Sequence, residues 1–172
     1  MNTKVYFAKV KPNAKIPSKR VEDAGFDIYA CFDEEYMVIT PHKTKLIPTG
    51  IASVCDSDYC FILKERGSTG TKGMAQRCGV IDSGYRNEWF APITNTTQKP
   101  LFIYNKLPKR YNGVPWEDLD VDAMFTLHPT TKAICQALVI PVPQTKVEEI
   151  TFDELQAITS ERGNGALGSS GK

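Results

Sequence analysis

The chain has 172 residues, of which 41% are hydrophobic and 24% charged, and its formal net charge is +1. This length suits one domain with its own core, and the near-neutral charge gives no general attraction for nucleic acid or anionic membranes. No apolar run approaches the roughly 18 residues needed to cross a bilayer, and the first residues lack a signal-peptide pattern. We therefore expect a cytoplasmic protein with no membrane partner and no direct nucleic-acid partner.

Short β-rich runs separated by turn residues follow one another along the chain. In order they are KVYFAKV, GFDIYACF, YMVITP, TKLIPTGIASV, YCFILKER, CGVID, EWFAPIT, PLFIYN, AICQALVIPV and VEEITF. Many short strands with Gly, Pro, Asn and Asp between them are typical of an all-β sandwich or barrel. One short helix is predicted at TFDELQAI, where Asp153 and Glu154 suit a first turn.

Two segments lack a strand pattern. Residues 64–77 (KERGSTGTKGMAQR) are rich in glycine and basic residues, and residues 105–132 form a long connection with a basic first part and an acidic middle. Connections longer than about 12–15 residues without structure of their own are uncommon and are often functional. For residues 105–132 two interpretations stay open, a surface hairpin without a special role and an insert that binds a partner.

The chain has five cysteines, an odd number without a C-x-x-C pair, and two histidines. We expect reduced and mostly buried thiols, because disulfides are rare in the cytoplasm. Two histidines are too few to predict a zinc site.

The C-terminal segment ERGNGALGSSGK contains the pattern G-x-G-x-x-G. A dinucleotide-binding fingerprint must open a helix and be followed by another strand, and only four residues follow the last glycine of the match. The composition still suits phosphate, because glycines expose backbone N–H groups and Arg162, Ser169 and Ser170 supply further donors. A flexible terminus without a ligand is the alternative.

Three further clusters carry candidate chemistry. Arg66, Gly67 and Ser68 combine a cation with hydroxyl and amide donors, although a basic turn explains them equally well. Asp82 lies at the end of the apolar run GVI, where a carboxylate can serve as a general base or stabilise a turn. Asp27 begins a strand after Gly25, and such a carboxylate can contact Mg²⁺ when a nucleotide supplies the other ligands.

In this order the segments resemble the five motifs of the trimeric dUTPase family. Residues 24–28 (AGFDI) resemble A-G-x-D-L, residues 66–68 (RGS) resemble R-S-S, and residues 79–85 (GVIDSGY) match G-V-I-D-x-x-Y. Gln136 resembles the fourth motif and residues 162–171 (RGNGALGSSG) resemble R-G-x-G-G-F-G-S-[ST]-G. The resemblance implies an all-β subunit of the jelly-roll or β-clip type with a flexible Gly-rich C-terminal arm, in a homotrimer with shared active sites.

The resemblance also implies a domain organisation. Residues 1–158 would form the β domain, residues 105–132 an insert or long hairpin between the third and fourth motifs, and residues 159–172 the arm that closes over phosphate.

The implied reaction is Mg²⁺-dependent hydrolysis of dUTP to dUMP and pyrophosphate, which limits uracil incorporation into DNA and supplies dUMP for dTTP synthesis. Asp82 would deprotonate the attacking water, and Asp27 would contact Mg²⁺ through water. The residues implied for the phosphates are Arg66, Gly67, Ser68, Gln136, Arg162, Ser169 and Ser170. Those implied for uracil and deoxyribose are Gln76, Gly79, Ile81, Tyr85, Trp89, Phe90 and Leu167.

The sequence departs from the family pattern at several positions. Gly67 and Asn87 stand where the family usually has Ser and Gly, and Leu167 stands where an aromatic residue usually stacks on uracil. We hypothesise that Trp89 or Phe90 covers the base instead, the alternative being that both lie in the core. The stretch from motif two to motif three looks short, and residues 105–132 look long. The insertion between motifs three and four resembles some phage members, in some of which the insert binds a regulatory protein. A dCTP deaminase-like enzyme and a nucleotide-sensing regulatory protein on the same fold stay open as alternatives.

Overall fold

The computed structural model describes residues 4–161 and Gly163. The chain divides into two compact units, residues 1–142 and a second unit that begins at Pro143. This division precedes residue 159, where the sequence places the start of the arm, so the functional limit of the arm stays a prediction.

The regular structure of the first unit consists mainly of short strands. In chain order they are β1 (Val5–Lys9), β2 (Gly25–Tyr29), β3 (Tyr36–Ile39), β4 (Thr44–Pro48), β5 (Ile51–Cys55), β6 (Tyr59–Lys64), β7 (Met74–Gln76), β8 (Val80–Ile81), β9 (Phe90–Asn95), β10 (Leu101–Tyr104), β11 (Arg110–Tyr111), β12 (Val114–Pro115), β13 (Thr126–Pro129) and β14 (Ala133–Pro141). Its helices are α1 (Gly67–Gly70), a 3-10 helix (Trp116–Asp118) and α2 (Val121–Met124). The predicted all-β class is confirmed.

The largest sheet has the order β2-β14-β6-β8, with all neighbours antiparallel, and it carries Asp27 and Gln136. Two three-stranded sheets have the orders β4-β9-β7 and β13-β10-β3, and β1 pairs with β5. In the four-stranded sheet β14 carries a bulge between Ala133 and Cys135. A bulge bends its strand and redirects the side chains on either side of it, here next to the segment that bears Gln136.

Alternation of side chains along these strands builds the core. On β5 residues 51, 53 and 55 are buried while 52 and 54 are only partly so, as expected for a strand with one face inward. Phe61 and Trp89 lie at the centre, with ring centroids 4.9 Å apart, and Phe7 packs on both. All five cysteines are free thiols and only Cys78 is exposed, which confirms the expectation of unpaired and mostly buried cysteines.

Three predictions from periodicity were wrong. VEEITF is not a strand, because residues 143–151 have no regular structure and Phe152 begins a helix. Residues 64–77 contain a strand, β7, whose short run Met74–Gln76 pairs with β9 and is too brief to show alternation. Residues 105–132 contain β13, which pairs in parallel with β10 although its sequence TLHP has little β character.

The insert at residues 105–132 contains the predicted hairpin. Strands β11 and β12 pair through a turn at Asn112-Gly113, where both residues have positive φ. Asn-Gly is the preferred sequence for such two-residue turns. Trp116 stacks on Phe125 at 5.3 Å, and Phe125 contacts Phe102 of β10 at 5.1 Å, so aromatic packing attaches the insert to the sheet.

The second unit contains the helix α3 (Phe152–Ala157), as the sequence predicts. Thr151 and Glu154 form a reciprocal capping box, in which the Glu154 carboxylate accepts the Thr151 N–H at 2.7 Å and the Thr151 hydroxyl accepts the Glu154 N–H at 3.2 Å. Among the helices that the structure describes, none is long and apolar enough to span a membrane.

Candidate active site

Three neighbouring strands bring together residues that are far apart in sequence. In the β2-β14-β6 register, Asp27 lies opposite Gln136, and Gln136 lies opposite Lys64. Arg66 follows β6 by two residues, so the end of that strand carries its guanidinium towards Asp27.

Asp27 and Arg66 form an ion pair. The Nε atom of Arg66 lies 2.9 Å from Oδ1 of Asp27, and a second guanidinium nitrogen lies 3.5 Å from Oδ2. Each side chain is 33% exposed, so the pair is accessible from solvent. Two contacts between guanidinium and carboxylate fix the orientation of the guanidinium plane, which holds a cation at the edge of the adjacent cavity.

An open cavity of about 750 Å³ lies beside this pair. It gathers five of the predicted residues, which are Asp27, Arg66, Gly67, Ser68 and Gln136. The loop before β2 supplies its other wall, where Lys19 adds positive charge and Arg20 is paired with Asp23. The cavity therefore offers guanidinium, hydroxyl and amide donors to an anion, as expected for a phosphate site.

Gln136 is held in place by its neighbours. Its Nε2 atom donates to the carbonyl oxygen of Glu65 at 2.8 Å. A Cβ atom on Gly25 would lie 2.6 Å from Oε1 of Gln136, so only glycine allows the amide to pack there. The glycine in AGFDI thus has a packing role beside the carboxylate that follows it.

Glu65 connects the phosphate cavity to the third motif, and sequence reasoning missed it. Its carboxylate accepts the backbone N–H of Gln76 at 2.9 Å, while its carbonyl accepts from Gln136. Hydrogen bonds from its own backbone N–H and from that of Gln76 lower the pKa of Glu65. Its place directly before the RGS motif was the only available signal.

The short helix α1 shapes the second motif. Thr69 is buried, and its hydroxyl accepts the Arg66 N–H at 3.1 Å, which fixes the start of the turn. The Oγ atom of Ser68 accepts a long hydrogen bond of 3.4 Å from the Arg66 guanidinium. Gly67 faces open space, with nothing within 4 Å of where a Cβ would lie. The departure at this position is therefore not forced by packing.

Asp82 and Tyr85 form a separate group. Asp82 directly follows β8 and is exposed, and its carboxylate makes no hydrogen bond or ion pair with any residue in the described part of the chain. Its carbonyl accepts the Tyr85 N–H at 3.1 Å, which closes a turn. The Tyr85 hydroxyl donates to the carbonyl of Glu88 at 3.0 Å and the ring packs against the core. The turn thus presents a free carboxylate beside a fixed ring.

The residues before Asp82 pack closely against strand β6. A Cβ on Gly79 would lie 2.5 Å from the Leu63 carbonyl oxygen, and the Gly79 carbonyl accepts the Leu63 N–H at 2.7 Å. Ile81 is buried, so only its backbone can reach a ligand. Gln76 donates its backbone N–H to Glu65, whereas its side-chain Oε1 is buried and lacks a hydrogen-bond partner among the described residues.

The two groups lie far apart within one chain. Phe61 pairs with Ile81, so Asp82 lies about level with Cys60, four residues along β6 from Lys64. That is roughly 13 Å along the strands, and Asp27 lies three strands away across the sheet, so Asp27 and Asp82 are about 20 Å apart. Neither Asp82 nor Tyr85 lines the phosphate cavity.

The hypothesis that Trp89 covers the base is wrong. Trp89 is fully buried against Phe7 and Phe61, and its backbone is fixed by hydrogen bonds to Thr49 and Ile51. Phe90 follows it and points the other way, with 38% of its surface exposed. Phe90 remains a candidate, while Arg162, Leu167, Ser169 and Ser170 lie outside the described residues.

Comparison with known proteins decides the family. The dUTPase family profile matches residues 12–106, more than half of the chain. The chain belongs to the dUTPase family. The matched range contains Asp27, Arg66 and Asp82, and it ends before Gln136.

Curated relatives of the dUTPase family agree with this. The deoxyuridine 5'-triphosphate nucleotidohydrolase of Leptospira interrogans is 33% identical over 104 residues, which are 58% of this chain and 71% of that protein. The protein of the same name from Chromobacterium violaceum is 31% identical over 153 residues, which are 87% of this chain and 82% of the relative.

Solved structures show the same fold. The dUTPase of Staphylococcus bacteriophage 80alpha with dUpNHpp has a TM-score of 0.72 and 22% identity, covering 98% of this chain and 99% of the other. A mutant dUTPase from phage phi11 of S. aureus, described with a structural Mg(II) ion, has a TM-score of 0.62 and 21% identity over 86% of this chain and 96% of its own.

The donor set around Asp27 limits how a metal could bind. Within residues 4–161 no group of three or more His, Cys, Asp or Glu side chains converges. Mg²⁺ in nucleotide sites commonly takes one or two carboxylates together with phosphate oxygens and water. Asp27 at the cavity edge fits such a site only when the substrate supplies the remaining ligands.

Proposed function

We propose that this member of the dUTPase family hydrolyses dUTP to dUMP and pyrophosphate, which limits uracil in DNA and supplies dUMP for dTTP synthesis. The observation that carries the proposal is the convergence of Asp27, Arg66 and Gln136 from three neighbouring strands on one cavity. That grouping supplies donors for a phosphate chain, and the family supplies the identity of the nucleotide.

The phosphate chain would lie in this cavity. Arg66 presents a fixed guanidinium, Ser68 a hydroxyl, and Gln136 an amide held by Glu65. Gly67 contributes only backbone, so its N–H takes the place of the usual serine hydroxyl. Arg162, Ser169 and Ser170 of the C-terminal arm would close over the phosphates through charge-assisted hydrogen bonds.

Asp27 would hold Mg²⁺ through water once nucleotide is present. The ion, when bound, neutralises charge on the phosphate oxygens. Before nucleotide binds, the Arg66 guanidinium orients the Asp27 carboxylate at the cavity edge.

Asp82 would act as the general base. Its exposed carboxylate has no competing partner in the described part of the chain, so it is free to accept a proton from water. The water oxygen bonds to phosphorus, the bond between the α and β phosphates breaks, and pyrophosphate leaves.

The nucleoside would lie against the third motif. The Tyr85 ring, fixed through its hydroxyl, would pack under deoxyribose and exclude a 2′-hydroxyl. The unpartnered oxygen of Gln76 supports a role in reading uracil, together with the backbone at Gly79 and Ile81, because a polar group left unpaired by the wrong base discriminates strongly. Phe90 would cover the base.

A homotrimer with shared active sites would unite the two groups. Asp27 and Asp82 of one chain are about 20 Å apart by the sheet register, farther than one phosphate group can bridge. A neighbouring chain that brings its Asp82 to this cavity removes the difficulty, which supports the shared arrangement.

The two alternatives are weaker. A deaminase would need a further base, and Glu88 is occupied because its carboxylate accepts the Gly50 N–H at 2.8 Å. A nucleotide-sensing role, with a regulatory protein bound at residues 105–132, is supported only by the phage structures, one of which is described as controlling transfer of virulence genes. The free cysteines support a cytoplasmic location.

One assay separates these functions. The protein is incubated with Mg²⁺ and dUTP, dCTP, dTTP or UTP, and pyrophosphate and ammonia are measured. Pyrophosphate from dUTP alone is expected. Ammonia from dCTP would establish a deaminase, and tight dUTP binding without turnover would establish a sensor.

Asp82→Asn tests the base within the same assay. We expect turnover to fall by about 10²–10⁴-fold, the usual contribution of general base catalysis, while dUTP still binds. Asp118→Asn, an exposed carboxylate in the insert, is the matched control and should keep normal turnover. Near-normal turnover of Asp82→Asn would remove Asp82 from this role.

A further inference from the structure

A second, smaller cavity adjoins the phosphate cavity. It has a volume of about 250 Å³, and its lining comprises Asp27, Tyr29, Arg66, Ser68, Lys72, His128, Lys132 and Ala133. It shares Asp27, Arg66 and Ser68 with the larger cavity, so the ion pair stands between the two. We call it the Lys72–Lys132 pocket.

The pocket carries an excess of positive charge. Its lining has three cations and one carboxylate, and that carboxylate, Asp27, is bound by Arg66 at 2.9 Å. The ammonium groups of Lys72 and Lys132 make no ion pair or hydrogen bond with any residue in the described ranges. Two lysines of uncompensated charge facing one small cavity repel each other, which favours an anion between them.

His128 forms the inner wall of the pocket and does not supply the missing negative charge. It is 4% exposed, and its Nε2 atom lies 3.3 Å from the Lys132 carbonyl oxygen, which favours the tautomer that donates there. Burial lowers the pKa of His128, and the nearby charges of Lys72, Lys132 and Arg66 lower it further. All three cations therefore lie close to one neutral imidazole.

The size of the pocket restricts its ligand. Sites for drug-sized molecules occupy about 300–1,000 Å³, so a cavity below that range suits a small anion and not a nucleoside. Tyr29 adds an apolar side, and its ring is itself covered by the Lys15 ammonium at 4.4 Å. A compact and strongly charged group is the ligand that this lining matches.

We propose that the Lys72–Lys132 pocket binds a phosphate group at the leaving end of the reaction, either the terminal phosphate of the bound substrate or free pyrophosphate. The inference rests on the proposed function, since it places the pocket next to the phosphate chain. Lys72 and Lys132 would act as binding residues that the motif pattern does not contain.

The test measures pyrophosphate binding by calorimetry in the absence of nucleotide, for the wild type and the double variant Lys72→Gln/Lys132→Gln. Both lysines are exposed, so the variant should fold, and Lys43→Gln is a matched exposed control. We expect the dissociation constant of pyrophosphate to rise about tenfold for each lysine, the usual effect of removing a hydrogen bond to a charged group. The affinity for dUMP should not change.

Steady-state kinetics with dUTP then identify the source of the phosphate. A parallel rise in KM for dUTP shows that the substrate's terminal phosphate reaches the pocket, whereas a rise only in the inhibition constant of pyrophosphate shows that the pocket takes the released product. Pyrophosphate affinity within twofold of wild type in the double variant, or equal loss in Lys43→Gln, would overturn the proposal. Lysine-dependent pyrophosphate binding by a protein that does not turn over dUTP would support the pocket and refute the reaction.

Discussion

Gly79→Ala tests whether the contact between β8 and β6 sets the position of Asp82. An added Cβ would lie 2.5 Å from the carbonyl oxygen of Leu63 and 3.2 Å from its nitrogen, where ordinary contacts begin at 3.4 Å. The clashing atoms belong to the backbone, so no side chain can rotate away. One of the two strands must move by about 1 Å to restore normal contact.

The strand that moves should be β8. It has only two residues and two pairs with β6, whereas β6 is also paired with β14 along its whole length, Tyr59–Lys64. Overpacking of this kind costs about 1–3 kcal/mol. Asp82 directly follows β8 and would move with it, and a misplacement of about 1 Å at a reacting group can cost 10²-fold in rate.

The assay compares Gly79→Ala with Gly84→Ala, which lies on the other side of Asp82 and has nothing within 4 Å of the added Cβ. Urea unfolding should show a loss of about 1–3 kcal/mol for Gly79→Ala and less than 0.5 kcal/mol for Gly84→Ala. The kcat for dUTP should fall about 10–100-fold only in Gly79→Ala. Wild-type stability and kcat in Gly79→Ala, or equal damage in both variants, would refute this reasoning.

Gly67→Ser should leave the free energy of unfolding within about 0.5 kcal/mol of wild type, because nothing lies near the added side chain. It should raise kcat/KM for dUTP by restoring the hydroxyl that is usual in the family. A loss of more than about 1 kcal/mol in the free energy of unfolding would contradict the open geometry. Phe90→Ala should raise KM for dUTP about tenfold if the ring stacks on uracil, a contact worth about 1–3 kcal/mol, whereas Trp89→Phe should lower stability and leave KM unchanged. His128 is held neutral in the folded protein, so below its ordinary pKa of 6.5 the unfolded chain binds the extra proton and stability falls with acidification. His128→Gln should weaken that fall between about pH 7 and pH 5.5 in urea titrations, and an unchanged slope would show that other groups cause it.

The sequence predicts the strands that alternate and misses those that do not. KVYFAKV becomes β1, where Val5 and Phe7 are half-buried and the residues between and after them are exposed. YCFILKER becomes β6, where Phe61 and Leu63 are buried and Ile62 between them is only half-buried. β7 is stabilised as a strand by pairing with β9, and β13 by pairing with β10. Their own sequences contain little that would predict a strand. VEEITF has β-branched residues, but Thr151 and Glu154 form a capping box, and the local cap decides in favour of a helix.

The sequence could predict which residues belong to the candidate site, but it could not predict how they are arranged. The resemblance to the family's motifs identifies Asp27, Arg66 and Gln136, and the register of three strands then brings them together. The link through Glu65 depends on a carboxylate reaching a backbone N–H eleven residues on, for which the sequence carries no pattern. Trp89 looks like a candidate lid by its position, but the core has room for its ring between Phe7 and Phe61.

The ion pair between Asp27 and Arg66 has a consequence for the proposed reaction. Each side chain is a third exposed, and pairs of this kind contribute only about 0–1 kcal/mol because water screens them. A triphosphate that enters the cavity carries several negative charges and can take over the guanidinium at little cost, since phosphate and carboxylate accept the same pair of N–H groups. Release of Arg66 leaves the Asp27 carboxylate without its partner at the moment when phosphate oxygens arrive, which is when a carboxylate can share Mg²⁺ with them. The pair thus keeps both groups oriented before substrate binds, and substrate binding separates them into their two proposed roles.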